Sequence, residues 1–268
     1  MILALQYYEG DQERAMSLAR LLADIEPSYR DDVVLALVCQ PGTRSSDLVR
    51  ATMERCSRKF PIQHVVSRRG AEGWADGSGQ LWAGTMEHFH GARGRAQLSF
   101  GTIFTFDGND GVPLHNNWID LLKEEHGNTL RMGKFVSGEL ILDIPSHPHI
   151  NGNMIVELSM LDSHPELLDI PLGATLEGLD TWDMRNAPIF LPCASASTIV
   201  YSRWNRTGVS KEIMGQAALN SVWFHGFKDD CLCDMARERL LCDMGGSSTF
   251  PLIRRQVDEM RLILGEFP

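Results

Sequence analysis

Apolar residues in the first 66 positions alternate between two spacings. Ile2-Leu3-Ala4-Leu5-Gln6-Tyr7-Tyr8, Val33-Val34-Leu35-Ala36-Leu37-Val38 and Ile62-Gln63-His64-Val65-Val66 are short, almost continuous runs. Such runs predict strands, and the unbroken ones suit a parallel sheet covered on both faces. Between them, Ala15, Leu18, Ala19, Leu21, Leu22 and Ile25 recur at helical spacing up to Pro27. Leu48, Val49, Met53 and Cys56 do the same behind Ser45 and Ser46, either of which can cap a helix. Strand, helix, strand, helix, strand is a parallel α/β unit.

Farther on, Gly73 to Gly79 is glycine-rich and leads into a helix through about His90. Ile103, Phe104 and Phe106 form a strand that stops in Asp107-Gly108-Asn109-Asp110-Gly111-Val112-Pro113. A helix is expected over Trp118, Ile119, Leu121 and Leu122, with strands at 134–138 and 140–142. His147-Pro148-His149-Ile150-Asn151-Gly152-Asn153 interrupts the pattern before the apolar run Met154-Ile155-Val156. Residues 161–172 read as partly helical, 188–197 as a proline- and serine-rich crossing, and 198–201 as a short strand. The tail from Pro251 again has helical periodicity. The expected architecture is a Rossmann-type mixed sheet flanked by helices: one domain over residues 1–230, with a helical extension, 231–268, packed on it.

Composition narrows this little. In 268 residues, 43% are apolar and 22% charged, ordinary values for a soluble globular chain. The net charge of −10 argues against wholesale coating of nucleic acid. No run approaches the length of a membrane span and no signal peptide is evident, so a cytoplasmic protein with no membrane partner is expected. The six cysteines are scattered, as reduced thiols are, and Cys231, Cys233 and Cys242 lack the usual spacing of a zinc site.

The chemistry concentrates after the Phe106 strand. A hydrophobic strand that delivers Asp107 and Asp110 to its carboxyl end is how an open α/β sheet builds a ligand site. Two such carboxylates suit a hard cation, Mg²⁺ or Mn²⁺, which commonly arrives with phosphates. The same residues also read as a surface Asp/Asn/Gly turn. Glycines at 73 and 77 permit close backbone approach ahead of a helix start, where phosphate is favoured, or simply make a flexible loop.

Four passages together resemble the GT-A-fold glycosyltransferases of phages and related genomes. They are Gly73-Trp74…Gly77…Leu81-Trp82, Asp110-Gly111-Val112-Pro113-Leu114 with Trp118, His149-Ile150-Asn151-Gly152-Asn153, and His225-Gly226-Phe227-Lys228-Asp229. The resemblance implies a nucleotide-diphosphate sugar donor, a divalent metal on the diphosphate, and hexosyl or pentosyl transfer to an acceptor hydroxyl. It implies Asp110 and His225 as metal ligands, the latter otherwise readable as a core histidine, and Lys228 as a charge on the diphosphate. It implies Asp183, in Thr181-Trp182-Asp183 and otherwise readable as a helix N-cap, as the base that deprotonates the acceptor, or as a group orienting donor or acceptor if configuration is retained. Donor contacts would come from Arg68, Gly73, Trp74, Gly77, Asn109, Asn151, Gly152 and Asn153. Tyr7 and Tyr8 would stack on the nucleobase or pack in the core. The family's motif carries an acidic residue two positions before the matching aspartate, and Gly108 stands there. Asp107 through a shifted turn, Asn109, or water is expected to fill in.

The resemblance also implies an acceptor, a hydroxymethylcytosine or hydroxymethyluracil in phage DNA, in the host cytoplasm. Arg93/Arg95, Arg203/Arg206/Lys211 and Arg254/Arg255 would then meet phosphates. Two rival readings remain at this level. A sugar-phosphate nucleotidyltransferase would also place carboxylates on Mg²⁺, although Glu9-Gly10-Asp11 is acidic where its phosphate loop should be basic. A non-catalytic nucleotide-sugar-binding protein is suggested by Gly108.

Overall fold

The computed structural model describes residues 1–73, 76–94, 100–108, 110–142, 148–170, 182–197, 199–202, 209–226 and 231–242. Trp74, Asn109 and Lys228 lie outside the described residues. So do the tail from Pro251 and Arg95, Arg203, Arg206, Arg254 and Arg255.

The three expected strands are β1 (Ile2–Tyr7), β2 (Val34–Cys39) and β3 (Ile62–Val66), joined by α1 (Gln12–Ile25) and α2 (Asp47–Cys56). Ser46 caps α2, its hydroxyl accepting the Val49 N–H. α3 (Asp76–Gly94) then returns the chain to the other side of β1, where β4 (Thr102–Asp107) pairs with it in parallel. Right-handed crossovers put a helix on the opposite face whenever the direction of winding reverses. Accordingly α1 and α2 pack on one face of the sheet, and α3 packs on the other.

The remaining elements are β5 (Gly111–Pro113), α4 (Trp118–Arg131), β6 (Val136–Ile141), β7 (His149–Glu157), α5 (Met160–Ser163), α6 (Trp182–Arg185), α7 (Ala187–Cys193), β8 (Ala194–Ala196), β9 (Val200–Ser202), α8 (Lys211–Ala217), β10 (Trp223–His225) and α9 (Leu232–Cys242). The main sheet has the order β3-β2-β1-β4-β7-β6-β8, with β7 antiparallel to both β4 and β6. A second sheet has the order β5-β10-β9. This is a single-domain mixed α/β fold, with the topological switch between β1 and β4. α9, from the C-terminal extension, buries Leu232, Ala236 and Leu240 in the same core as α1.

Three local expectations change. The two strands expected around Gly138 are one strand, β6, with a register irregularity between Gly138 and Leu140. The His149–Asn153 passage does not interrupt the sheet; it is the first half of β7. Asn151 finds hydrogen-bond partners on β9 and β10, which offsets the weak strand preference of Asn. The proline-rich crossing forms α7, with Pro188 in its first turn, where no N–H is needed.

Candidate active site at the switch point

Open α/β sheets bind ligands outside the carboxyl ends of their strands at the switch point. Here that end presents Tyr8 after β1 and Asp107 at the end of β4. Asp110 comes after one more turn. The chain then enters β5 and pairs His225 of β10 opposite Gly111. The Gly226 N–H donates to the Asp110 carbonyl at 2.6 Å. This pairing fixes the carboxylate and the imidazole side by side: Asp110 Oδ2 is 3.5 Å from His225 Nε2.

The corner rests on an aromatic base. Trp223 is fully buried, with ring centroids 4.8 Å from Phe106, 5.3 Å from Phe104 and 5.5 Å from Trp118. A Cβ on Gly111 would fall 2.5 Å from the Trp223 indole nitrogen, so this position has no room for a side chain. His225 and Asp110 are themselves nearly buried, 8% and 9% exposed. Burial alone pushes the imidazole pKa down. The Asp110 carboxylate beside it, with Asp107 and Glu139, outweighs burial and holds the His225 pKa above the ordinary histidine value.

The donor set fits a divalent cation in part. Asp110 Oδ1 is buried and has no hydrogen-bond partner, a costly state for a carboxylate oxygen unless something positive meets it. Among the described residues no three His, Cys, Asp or Glu side chains form a ligand group. Asp107 influences His225 through its charge and does not complete a triad. Two protein ligands suffice for a cation whose other ligands are phosphate oxygens and water. Gly108, where the resembling family has an acid, is closed to any side chain. A Cβ there would meet Ala15 Cβ of α1 at 2.4 Å.

β7 brings the amides in. Ile155 lies in the core beside α1, and His149, Asn151 and Asn153, on either side of the register shift opposite Gly138 and Leu140, are all three buried. Asn151 Nδ2 lies 3.2 Å from His225 Nδ1 and 3.3 Å from Ser202 Oγ. Asn153 Oδ1 is buried without a hydrogen-bond partner. His149 Nε2 lies 3.9 Å from Asp183 Oδ2, and Asp183 Oδ1 accepts the Met184 N–H at 3.0 Å. His149 and Asn151, two residues apart on β7, thus touch Asp183 and His225 respectively. Trp182, the neighbour of Asp183, stacks on Trp82 at 4.4 Å and lies close to Gly152, where a Cβ would fall 3.3 Å from the indole ring.

Several expected donor residues have structural roles. Tyr7 is 1% exposed, its hydroxyl 3.0 Å from His64 Nε2, so its ring is core and offers no face to a base. Tyr8 is half-buried at the mouth of the switch point. Gly73 takes a left-handed φ of 78°, a turn conformation. Gly77 packs against the Gln40 side chain, which donates to the carbonyls of Ala71 and Gly77. Arg68 is exposed just beyond β3. Two further residues belong to this end of the sheet and were not singled out from the sequence: Ser202 and Glu139. Glu139 Oε1 accepts the Ser202 N–H at 3.2 Å. Asp11, in the acidic turn between β1 and α1, is 7% exposed with Oδ2 unpartnered. Only the β9–β10 pairing and the β6 irregularity bring Ser202 and Glu139 here, and no local motif marks them.

No protein-family model matches the sequence, and no curated protein matches it. Solved structures do. An active-site mutant of LgtC superposes with a TM-score of 0.55 at 10% identity, over 96% of this chain and 100% of that one. The fold is that of the GT-A glycosyltransferases. Galactosyltransferase LgtC in complex with donor and acceptor sugar analogs gives 0.53 at 10% identity, over 96% and 100% of the two chains. The glycosyltransferase GlyE of Streptococcus pneumoniae TIGR4 gives 0.55 at 10% identity, over all of this chain and 65% of that one. At such identities the likeness concerns the fold. No helix among the described residues is long and apolar enough to cross a membrane.

Proposed function

We propose that this chain is a glycosyltransferase that moves a sugar from a nucleotide-diphosphate donor to an acceptor hydroxyl. The observation that carries the reading is the Asp110–His225 corner beside the switch point of a GT-A fold, with a buried, unpartnered carboxylate oxygen. Asp110 and His225 would hold Mn²⁺ or Mg²⁺ against the diphosphate. When bound, the cation supplies positive charge to the departing nucleoside diphosphate.

The chain's own residues account for the rest. Asp183 would take the acceptor's proton as its oxygen bonds to the anomeric carbon and the sugar–phosphate bond breaks. The Met184 N–H fixes one oxygen of that carboxylate, and His149 lies beside the other. Asp107 adds negative charge to the cation side. The near-complete burial of His225 and Asp110 limits water at the corner, which strengthens each charge interaction there.

For the acceptor we carry forward a hydroxymethylpyrimidine in DNA, supported by the motif resemblance. Of the basic groups that would meet DNA phosphates, Arg93 pairs with Asp162 and Lys211 with Glu238. The test is a panel of labelled nucleotide-sugars with Mn²⁺, against hydroxymethylated DNA, glycan and small-molecule acceptors, read by mass spectrometry. A sugar-mass gain on one acceptor supports transfer and names donor and acceptor together. Binding without turnover of any donor would instead fit a nucleotide-sugar-binding protein, and pyrophosphate-dependent exchange a nucleotidyltransferase.

A further inference from the structure

His225 is gripped from one side only. Its Nδ1 lies 3.0 Å from Ser202 Oγ and 3.2 Å from Asn151 Nδ2, while its Nε2 is turned to Asp110 Oδ2 at 3.5 Å. The grip is built from two strands. Ser202 stands beside His225 in register across the parallel β9–β10 pair, so the hydroxyl meets the ring as an ordinary cross-strand neighbour. Asn151 reaches it from the polar face of β7.

The orientation of the Asn151 amide follows from its other end. Its Oδ1 accepts the backbone N–H of Asn153 at 2.8 Å and faces the Asn153 side-chain amide at 3.3 Å. A backbone N–H can only donate, so Oδ1 is the end held there and Nδ2 the end facing the imidazole. Ser202 is held in turn, its own N–H donating to Glu139 Oε1 at 3.2 Å. The two groups facing Nδ1 are therefore chemically unequal. The amide can only donate; the hydroxyl can donate or accept.

We propose that Asn151 and Ser202 are positioning residues that hold His225 by Nδ1 so that Nε2 faces the Asp110 oxygens. With no cation, a neutral imidazole accepts from the amide at Nδ1 and keeps its proton on Nε2, toward Asp110. To offer its Nε2 lone pair to a cation, a neutral imidazole must carry its proton on Nδ1. Ser202 Oγ is the one of the two groups able to accept that proton. Ser202 thus permits the liganding tautomer, and Asn151, whose amide then donates to Ser202 Oγ at 3.3 Å, keeps that hydroxyl against the ring. Holding the histidine and its hydroxyl partner is a different role from the sugar-hydroxyl contact the motif suggested for Asn151. This rests on the Asp110–His225 corner being a cation site.

The test uses the full chain and variants Ser202→Ala, Asn151→Ala and Ser202→Thr, with Mn²⁺ affinity read by electron paramagnetic resonance, alone and with UDP. Outer partners of a liganding histidine are commonly worth 10- to 100-fold in metal affinity. Ser202→Ala and Asn151→Ala are expected to weaken Mn²⁺ by about that range, and Ser202→Thr, which keeps the hydroxyl, to stay near wild type. Unchanged affinity in both alanine variants overturns the proposal. So does unchanged affinity with a raised donor KM in Asn151→Ala, which would make that amide a sugar contact. If the wild type binds no Mn²⁺, the cation reading fails by itself, and ¹⁵N-histidine spectra of the metal-free protein decide the positioning. A single His225 tautomer that becomes a mixture in either alanine variant supports it; identical spectra overturn it. Thermal denaturation of each variant checks that it is folded.

Discussion

Replacing Gly108 with aspartate would restore the acid of the resembling motif, and the structure predicts that it damages the protein. A Cβ at this position would lie 2.4 Å from Ala15 Cβ, 2.8 Å from Ala15 Cα and 3.3 Å from the Gln6 carbonyl oxygen. None of these neighbours is the end of a flexible side chain. The Gly108 N–H is bonded to that same Gln6 carbonyl at 2.9 Å, so the turn cannot swing away without losing a sheet hydrogen bond. Overpacking of this kind costs roughly 1–3 kcal/mol, and crowding a carboxylate against a helix adds to it. Taking about 3 kcal/mol, a chain of this size should melt roughly 6–12 °C lower. Gly108→Ala isolates the steric part and should fall by somewhat less. Ala15→Gly removes the nearest atom at a helix cost of about 1 kcal/mol. Combined with Gly108→Ala, it should recover at least about 1 kcal/mol relative to the sum of the single changes. Thermal and urea denaturation of the wild type and these four variants measures this. Additive effects, or a Gly108→Asp protein melting within 2 °C of wild type (roughly a 1 kcal/mol effect or less), would refute the reasoning.

Other expectations follow from the same geometry. His225→Gln should lower Mn²⁺ affinity by at least about tenfold with the fold retained; equilibrium dialysis against Mn²⁺ and a melting curve together check it. Trp182→Ala removes a buried ring stacked on Trp82 and edge-on to Phe190, and should destabilise by about 3–5 kcal/mol, measured by urea unfolding. Arg30 hydrogen bonds, supported by Lys123, hold the Asp32 carboxyl well below the usual carboxylate range. A depressed carboxylate stabilises above its unfolded pKa and loses that contribution as pH falls through the folded one. The stability gap between wild type and Asp32→Asn, at most about 1 kcal/mol for so exposed a pair, should therefore narrow below about pH 4; a gap constant from pH 7 to pH 3 would contradict this.

How much could be read beforehand depended on how local each feature is. The strands of the first 66 residues were legible because runs such as Val33–Val38 are apolar on both faces, and Pro27 and the Ser46 cap delimit the helices. The placement of Asp110 at a strand end was legible for the same reason. The His149–Asn153 strand was not, because the partners of Asn151 are 51 and 74 positions away in β9 and β10, and His149 meets Asp183 of α6. Tyr7 follows the apolar run and is as buried as the rest of it; stacking and packing demand the same residue type. Ser202 and Glu139 reach the corner through strand register alone. Gly108 was legible as an anomaly, and only Ala15 of α1 supplies its cause.

Donor turnover by wild type and Asp110→Ala, assayed side by side with Mn²⁺ and the nucleotide-sugar panel, tests the central claim most directly. The account predicts that the wild type releases nucleoside diphosphate from one donor, and that Asp110→Ala, still folded, is slower by at least about a hundredfold. Near-normal release by Asp110→Ala, or no release by the wild type from any donor, would contradict it.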